Sequence, residues 1–155
     1  MLSNGRWRGW TLTVDERILA AILTRRGQTD FRAKLLIAYD SRCAITGCDV
    51  LEALEAAHII PFSEDQNYAV SNGILMRADV HTLFDIFLLS IDPSTLRLRM
   101  APSLVSAYGE LEGKQIVLPT NQLSRPDSDR LALHFKEWSM RWSCDQRWRL
   151  LSRSR

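Results

Sequence analysis

Apolar residues recur at two different periods along this chain, and the change from one period to the other predicts its elements. A helical period of 3.6 residues runs through residues 14–26, 31–39 and 129–142. Gly27 is expected to end the first of these helices, and Asp30 is the expected N-cap of the second. The chain is therefore predicted to start and finish with helices.

Between these helices, the apolar runs become short and are typical of strands. Residues 53–60 (ALEAAHII) and 72–76 (NGILM) predict two strands, and residues 78–87 (ADVHTLFDIF) predict a helix directly after them. Residues 88–102 alternate apolar and polar side chains on both sides of a turn, which predicts a β-hairpin, and residues 116–118 predict one more short strand. The expected fold class is α+β.

A chain of 155 residues is long enough for one domain with a substantial core. The predicted order divides this single domain, residues 1–155, into five parts. They are a helical lead-in (1–40), a strand–strand–helix core (41–89), a β-hairpin with a short strand (90–119), a C-terminal helix (129–143) and a basic tail (144–155).

Polar side chains with catalytic potential cluster in the strand–strand–helix core. His58 closes the first predicted strand, Asn72 begins the second, and His81 and Asp85 stand on the helix. Because His81 and Asp85 are four residues apart, they share a helical face and can chelate a divalent cation. Taken singly, these residues would be a core histidine, a turn asparagine before Gly73 and a surface pair, but their order favours a functional site.

Five short motifs stand in sequence around these residues: RRGQTDFR, LLIAYDSRCAITGC, LEAAHIIPF, NGILM and HTLFD. Together they resemble the HNH endonucleases, in the branch whose finger follows a helical lead-in, and the resemblance covers residues 26–119. It implies a ββα-metal (His-Me) finger core with N-terminal bracing helices, a following β-hairpin and a C-terminal helix. The implied activity is metal-dependent endonucleolytic hydrolysis of DNA phosphodiester bonds.

The resemblance also implies a role for each residue of the cluster. His58 would be the general base, since an imidazole has a suitable pKa near neutral pH. Asn72 would fix the loop and orient His58 by a hydrogen bond, and His81 and Asp85 would hold the metal ion. Mg2+ or Mn2+ suits a site of carboxylate and water, while the imidazole also admits Ni2+, Co2+ or Zn2+.

One position departs from the family pattern. Many HNH enzymes carry a further metal ligand directly before the base histidine, where this chain has Ala57. Glu55 stands two residues earlier, on the same strand face by the period of two. It is a candidate third ligand, and the alternative is an ordinary salt bridge or a surface position.

Charge is distributed unevenly along the chain. Net charge is +3 over residues 1–26, −6 over residues 27–129 and +5 over residues 130–155, and the basic ends are nearly all arginine. Arginine suits bidentate phosphate contacts, so the DNA-binding candidates are five arginines: Arg25, Arg26, Arg77, Arg147 and Arg149. A solvated tail that only aids solubility is the alternative for the basic end.

Other features narrow the class of protein. No apolar run is long enough to span a bilayer and no signal-peptide pattern follows Met1, so a cytoplasmic protein without a membrane partner is expected. The odd cysteine count favours free thiols at Cys43 and Cys48 over a disulfide or a zinc site. The resemblance implies DNA as the partner, and a homodimer would let both strands be cut. Two alternatives stay open: a toxin or restriction-type module of a larger system, and a non-catalytic DNA-binding module, which Ala57 would suit.

Overall fold

The computed structural model describes residues 28–61 and 68–152, and side chains as far as residue 142. The predicted helix at residues 14–26, with Gly27, therefore lies outside the described residues. The elements are α1 (residues 28–38), β1 (Leu54–His58), β2 (Gly73–Arg77), α2 (Ala78–Asp85), β3 (Leu89–Ile91), β4 (Leu98–Met100), α3 (Val105–Tyr108) and α4 (Ser128–Ser152).

The centre of the fold is an antiparallel hairpin that leads directly into a helix. Strands β1 and β2 pair in a register that sets Leu54 opposite Arg77 and His58 opposite Gly73. Helix α2 begins at the next residue, and its apolar side chains Val80 and Phe84 are completely buried against the sheet. The predicted α+β class and the strand–strand–helix core are confirmed.

Helix α1 packs on the hairpin through the residues that its sequence period places inward. Phe31 and Leu35 are buried, and Leu36 is partly buried. A Cβ on Gly73 would lie only 2.4 Å from the Phe31 ring, so a glycine is needed for α1 to come this close to β2. The expected cap is wrong, because Asp30 lies inside the helix and forms an i,i+4 pair with Lys34 at 3.9 Å.

The predicted second hairpin is confirmed, with Leu89 opposite Met100 in an antiparallel pair. The predicted strand at residues 116–118 is wrong. Ile116 donates its backbone N–H to Leu96, and Val117 donates to Ala44. Because these bonds go to two separate segments, residues 116–118 connect the turn at Ala44 with the loop at Leu96 and form no strand ladder.

Two helices have different ends from those predicted. Helix α2 stops at Asp85, because Phe87 adopts a positive φ of 56° and the Leu88 N–H bonds back to the Leu83 carbonyl in a Schellman-type end. Helix α4 continues to Ser152, so the basic tail predicted from residue 144 is helical over most of its length. No Gly or Pro interrupts that stretch.

Among the described residues, no helix is both long and apolar enough to cross a membrane.

Candidate active site

A cleft of about 550 Å³ opens where α1, β1 and α2 meet. Four of the residues singled out in the sequence reach it together: Glu55, His58, His81 and Asp85. Its described lining consists of Gln28, Phe31, Arg32, Glu55, Ala56, His58, Pro61, His81 and Asp85. The fold therefore collects two histidines and two carboxylates from a strand and a helix into one concave site.

His81 lies between the two carboxylates. Its Nδ1 is 2.6 Å from Glu55 Oε2, and its Nε2 is 3.2 Å from Asp85 Oδ2. Ionised carboxylates only accept hydrogen bonds, so this arrangement favours the imidazolium form, in which both ring nitrogens carry a proton. Burial alone would lower the pKa of His81, but the hydrogen bonds to Asp85 and Glu55 outweigh it and raise that pKa above its ordinary value.

An imidazole with two carboxylates is a suitable donor set for a divalent cation. The three side chains stand in a row with the ring in the middle, however. Within residues 28–61 and 68–142, no three His, Cys, Asp or Glu side chains are grouped as the ligands of a metal ion. The chemistry of the donors fits a metal ion, which would have to take the place of a proton on His81.

His58 is the last residue of β1 and lies half-buried in the same cleft. Its ring stacks on Phe31, with the ring centroids 4.2 Å apart and the planes 16° from parallel. Burial lowers the pKa of His58, the positive charge of His81 lowers it further, and Asp85 partly opposes both. These surroundings favour the neutral form of His58, which is the form that can accept a proton.

Asn72 is completely buried just before β2. Its Oδ1 accepts the Ile60 N–H at 3.0 Å, and its Nδ2 donates to the Ile60 carbonyl at 3.1 Å. Its backbone carbonyl accepts the N–H of Ile59. These bonds hold the chain just beyond His58, and the two side-chain bonds act on the backbone of Ile60.

Of the five arginines predicted to bind DNA, Arg77 alone has a described side chain. Arg77 makes a bidentate pair with Asp79 at 2.6 and 2.8 Å, and Tyr108 donates a further bond to that carboxylate. These bonds bring the pKa of Asp79 down to about 2. Arg77 also stands at the end of the hairpin away from His58. Arg25 and Arg26 lie outside the described residues, and Arg147 and Arg149 lie on α4 with side chains that are not described.

The structure adds one residue to the site that the sequence reasoning did not select. Arg32 lines the cleft, and its guanidinium donates to the carbonyl oxygens of Leu51 and Leu54. Arg32 is the last residue of the motif RRGQTDFR, whereas the predicted DNA-binding residues Arg25 and Arg26 are its first two. The signal for Arg32 is its position beside Phe31, on the edge of the apolar face of α1.

The two described cysteines are free thiols, as predicted. Cys43 is buried and its Sγ accepts the backbone N–H groups of Thr46 and Arg77 at 3.3 and 3.2 Å. This sulfur therefore joins the turn before β1 to the start of α2, and Cys48 is only partly exposed beside it.

Comparison with known proteins gives one family match. Residues 43–92, which include β1, β2, α2 and β3, match the family model of the HNH endonucleases. No curated protein matches the chain. Among solved structures, the chain is similar to a modification dependent TagI restriction endonuclease, with 20% sequence identity and a TM-score of 0.48 over 67% of this chain and 35% of the other. The chain thus spans about a third of that protein. The family match confirms the resemblance seen in the sequence, and it supports a nuclease.

Proposed function

We propose that this chain, as an HNH endonuclease, hydrolyses phosphodiester bonds of DNA with His58 as the general base and a divalent cation held by His81 and Asp85. One observation carries the proposal. Two histidines open into the same cleft, and one of them, His81, lies between the carboxylates of Glu55 and Asp85. Hydrolysis needs both a group that takes a proton from water and a site that compensates charge at the phosphate.

His58 is suited to the first task by its surroundings. Burial and the stacked Phe31 ring keep the imidazole neutral and limit its rotation. Asn72 bonds to the backbone of Ile60, two residues after His58, and so fixes the path of the chain as it leaves β1. The neutral ring would accept the proton of the attacking water, and the nearby Asp85 would help to stabilise the imidazolium that forms.

His81 and Asp85 are suited to the second task. Asp85 Oδ2 faces the Nε2 of His81, so the two form a chelating pair once that nitrogen loses its proton. Glu55 would stay on Nδ1 and orient the ring, in the carboxylate–histidine arrangement common around metal ions. Bound Mg2+ or Mn2+ would neutralise charge on the scissile phosphate and on the leaving oxygen.

A direct ligand role for Glu55 is the alternative to this orienting role. The distance of 2.6 Å between Glu55 Oε2 and His81 Nδ1 favours orientation, because a nitrogen that donates to Glu55 cannot bind the metal at the same time. We propose that residues 1–155 act as one nuclease domain. We also propose that arginines of the termini add contacts to DNA phosphates.

A plasmid-nicking assay tests the proposal. Wild-type protein with Mg2+ or Mn2+ should convert supercoiled plasmid to nicked or linear forms, and EDTA should stop the reaction. His58→Ala should lower the rate by about 10²- to 10⁴-fold, the usual contribution of a general base, and leave DNA affinity near normal. Residual activity within a few-fold of wild type would move the base elsewhere. A wild-type protein that binds DNA but cuts with none of Mg2+, Mn2+, Ni2+, Co2+ or Zn2+ would favour the non-catalytic module.

A further inference from the structure

We propose that Arg32 contacts a phosphate of the DNA strand in the cleft. The proposal rests on the proposed function and adds a substrate-binding residue to it. Arg32 lies on α1, outside the segment that contains the histidines, and it lines the same cleft as His58, His81 and Asp85. Among the described residues that line this cleft, Arg32 alone carries a permanent positive charge.

The charge of the cleft creates a need for such a residue. Glu55 and Asp85 both face this space, so an approaching phosphodiester meets two carboxylates. One divalent cation at His81 and Asp85 would offset those charges but leave little net attraction for the phosphate. The Arg32 guanidinium, supplied to the same cleft by α1, would provide that attraction in a form that fits phosphate oxygens.

The bonds of Arg32 hold its guanidinium in place without cancelling its charge. Nη2 donates to the carbonyl oxygens of Leu51 at 2.9 Å and Leu54 at 3.3 Å, and Nε donates to Leu54 at 3.4 Å. Carbonyl oxygens are neutral, so the group keeps its full positive charge. In the part of the chain that the structure describes, these bonds use Nε and Nη2, which leaves the Nη1 hydrogens for an acceptor in the cleft.

Three described arginines outside the cleft show the contrast. Arg42 pairs with Asp49, Arg77 with Asp79 and Arg99 with Glu112. Each of these guanidinium groups has a carboxylate partner that reduces its attraction for a phosphate. Arg32 is ordered by backbone carbonyls instead, so its geometry is set before a ligand arrives, and little entropy is lost when a phosphate binds.

The competing account gives Arg32 a purely structural role, in which it only ties α1 to the turn before β1. Arg99→Ala is the matched control for that account, because Arg99 also joins two segments, through Glu112 at 2.9 Å, and does not line the cleft. Loss of a purely structural tie should lower the melting temperature and leave the salt dependence of DNA binding unchanged.

The test measures affinity for a short fluorescein-labelled DNA duplex across a salt series, in a His58→Ala background that prevents cleavage. Arg32→Gln should weaken binding about tenfold at moderate salt and flatten the slope of log affinity against log salt by about one unit, the effect of one lost phosphate contact. Arg32→Met keeps the apolar stem and serves as a second neutral variant if the first does not fold. Arg32→Lys should keep most of the slope.

An unchanged salt slope in the folded neutral variants, as expected for Arg99→Ala, would overturn the phosphate contact whatever happens to the melting temperature. Failure of the proposed function has a different signature. Wild-type protein would then nick no plasmid with any of the metals, although the binding series would still report on Arg32. In an active enzyme, Arg32→Gln should also lower kcat/KM by about 10- to 100-fold.

Discussion

Two histidines, His81 and His134, lie on different sides of α2 and occupy opposite environments. His81 reaches the open cleft between the carboxylates of Glu55 and Asp85. His134 is buried on α4, where its ring lies flat on Phe84 with the centroids 3.7 Å apart. The hydrogen bonds of Asp85 and Glu55 overcome burial and raise the pKa of His81, whereas burial lowers the pKa of His134 to about 4.

The hydrogen-bond partners explain the difference in charge. His134 Nε2 is 3.1 Å from the Phe84 carbonyl, which can only accept, so this nitrogen carries the proton. Nδ1 then accepts from the Ser90 hydroxyl at 2.8 Å, and the neutral ring is satisfied on both sides. The ring of His81 faces two carboxylates, which favour its charged form. The hydrogen-bond partners therefore decide which histidine stabilises the core and which one is available to a metal ion.

Loss of the core histidine should give the largest effect on stability. His134→Ala removes two hydrogen bonds and two ring stacks, with Phe84 and Phe87, and leaves Ser90 and the Phe84 carbonyl without these partners. We expect the free energy of unfolding to fall by about 3 kcal/mol. Urea unfolding measures it, and His81→Ala is the control, with a change below about 1 kcal/mol. Equal losses in both variants would remove the distinction between the two sites.

The neutral state of His134 also predicts a pH dependence of stability. Its pKa is about 4 in the folded protein and 6.5 in the unfolded chain, so between these values only the unfolded chain binds the proton. Stability is therefore complete above pH 6.5 and falls as the pH drops towards 4, by about 3 kcal/mol if this group acts alone. Unfolding curves at several pH values should show this loss in wild type and a smaller one in His134→Ala. Parallel curves would contradict it.

On the side of the cleft, His81→Ala and Asp85→Ala should each weaken Mn2+ affinity by more than about tenfold, since loss of even a supporting group near a metal costs about that much. Excess Mn2+ should partly restore cleavage by Asp85→Ala, because water can replace one carboxylate oxygen. Calorimetric titration measures the affinity, with a mild substitution in the core, Ser90→Ala, as the control. Unchanged affinity in both cleft variants would remove the proposed metal site.

The smallest effect is expected at Glu55. Glu55→Gln keeps an oxygen that can accept from His81 Nδ1, so an orienting role predicts a change of less than about threefold in the metal concentration for half-maximal cleavage. A direct ligand role predicts about tenfold or more. Glu52→Gln is a matched control, as a nearby glutamate just before β1 that does not line the cleft. The titration of activity with Mn2+ separates the two roles of Glu55.

The turn after α2 shows how much of the site depends on a distant helix. Three side chains of α4 meet backbone carbonyls there: His134 donates to Phe84, Arg141 to Ile86 and Trp142 to Phe87. Arg141 also lies over the Phe87 ring at 4.1 Å. The indole of Trp142 therefore helps to hold the end of the helix that carries His81 and Asp85.

The sequence by itself determined the order strand, strand, helix and the position of its main polar residues. His58 ends a strand and His81 shares a helical face with Asp85, because these features depend on periods of two and 3.6 residues among near neighbours. Local reasoning failed at residues 116–118, where the backbone bonds to two separate segments, at Leu96 and at Ala44.

Only the tertiary structure decided which of these groups meet and which carry charge. Glu55 reaches His81 from 26 positions away, Arg32 reaches the Leu54 carbonyl from 22, and His134 reaches the Phe84 carbonyl from 50. A pKa depends on burial and on the charges within a few ångströms, and neither can be read from neighbours in the sequence. The local sequence therefore determines which element each histidine lies on. Packing then raises the pKa of His81 in the cleft and lowers the pKa of His134 in the core.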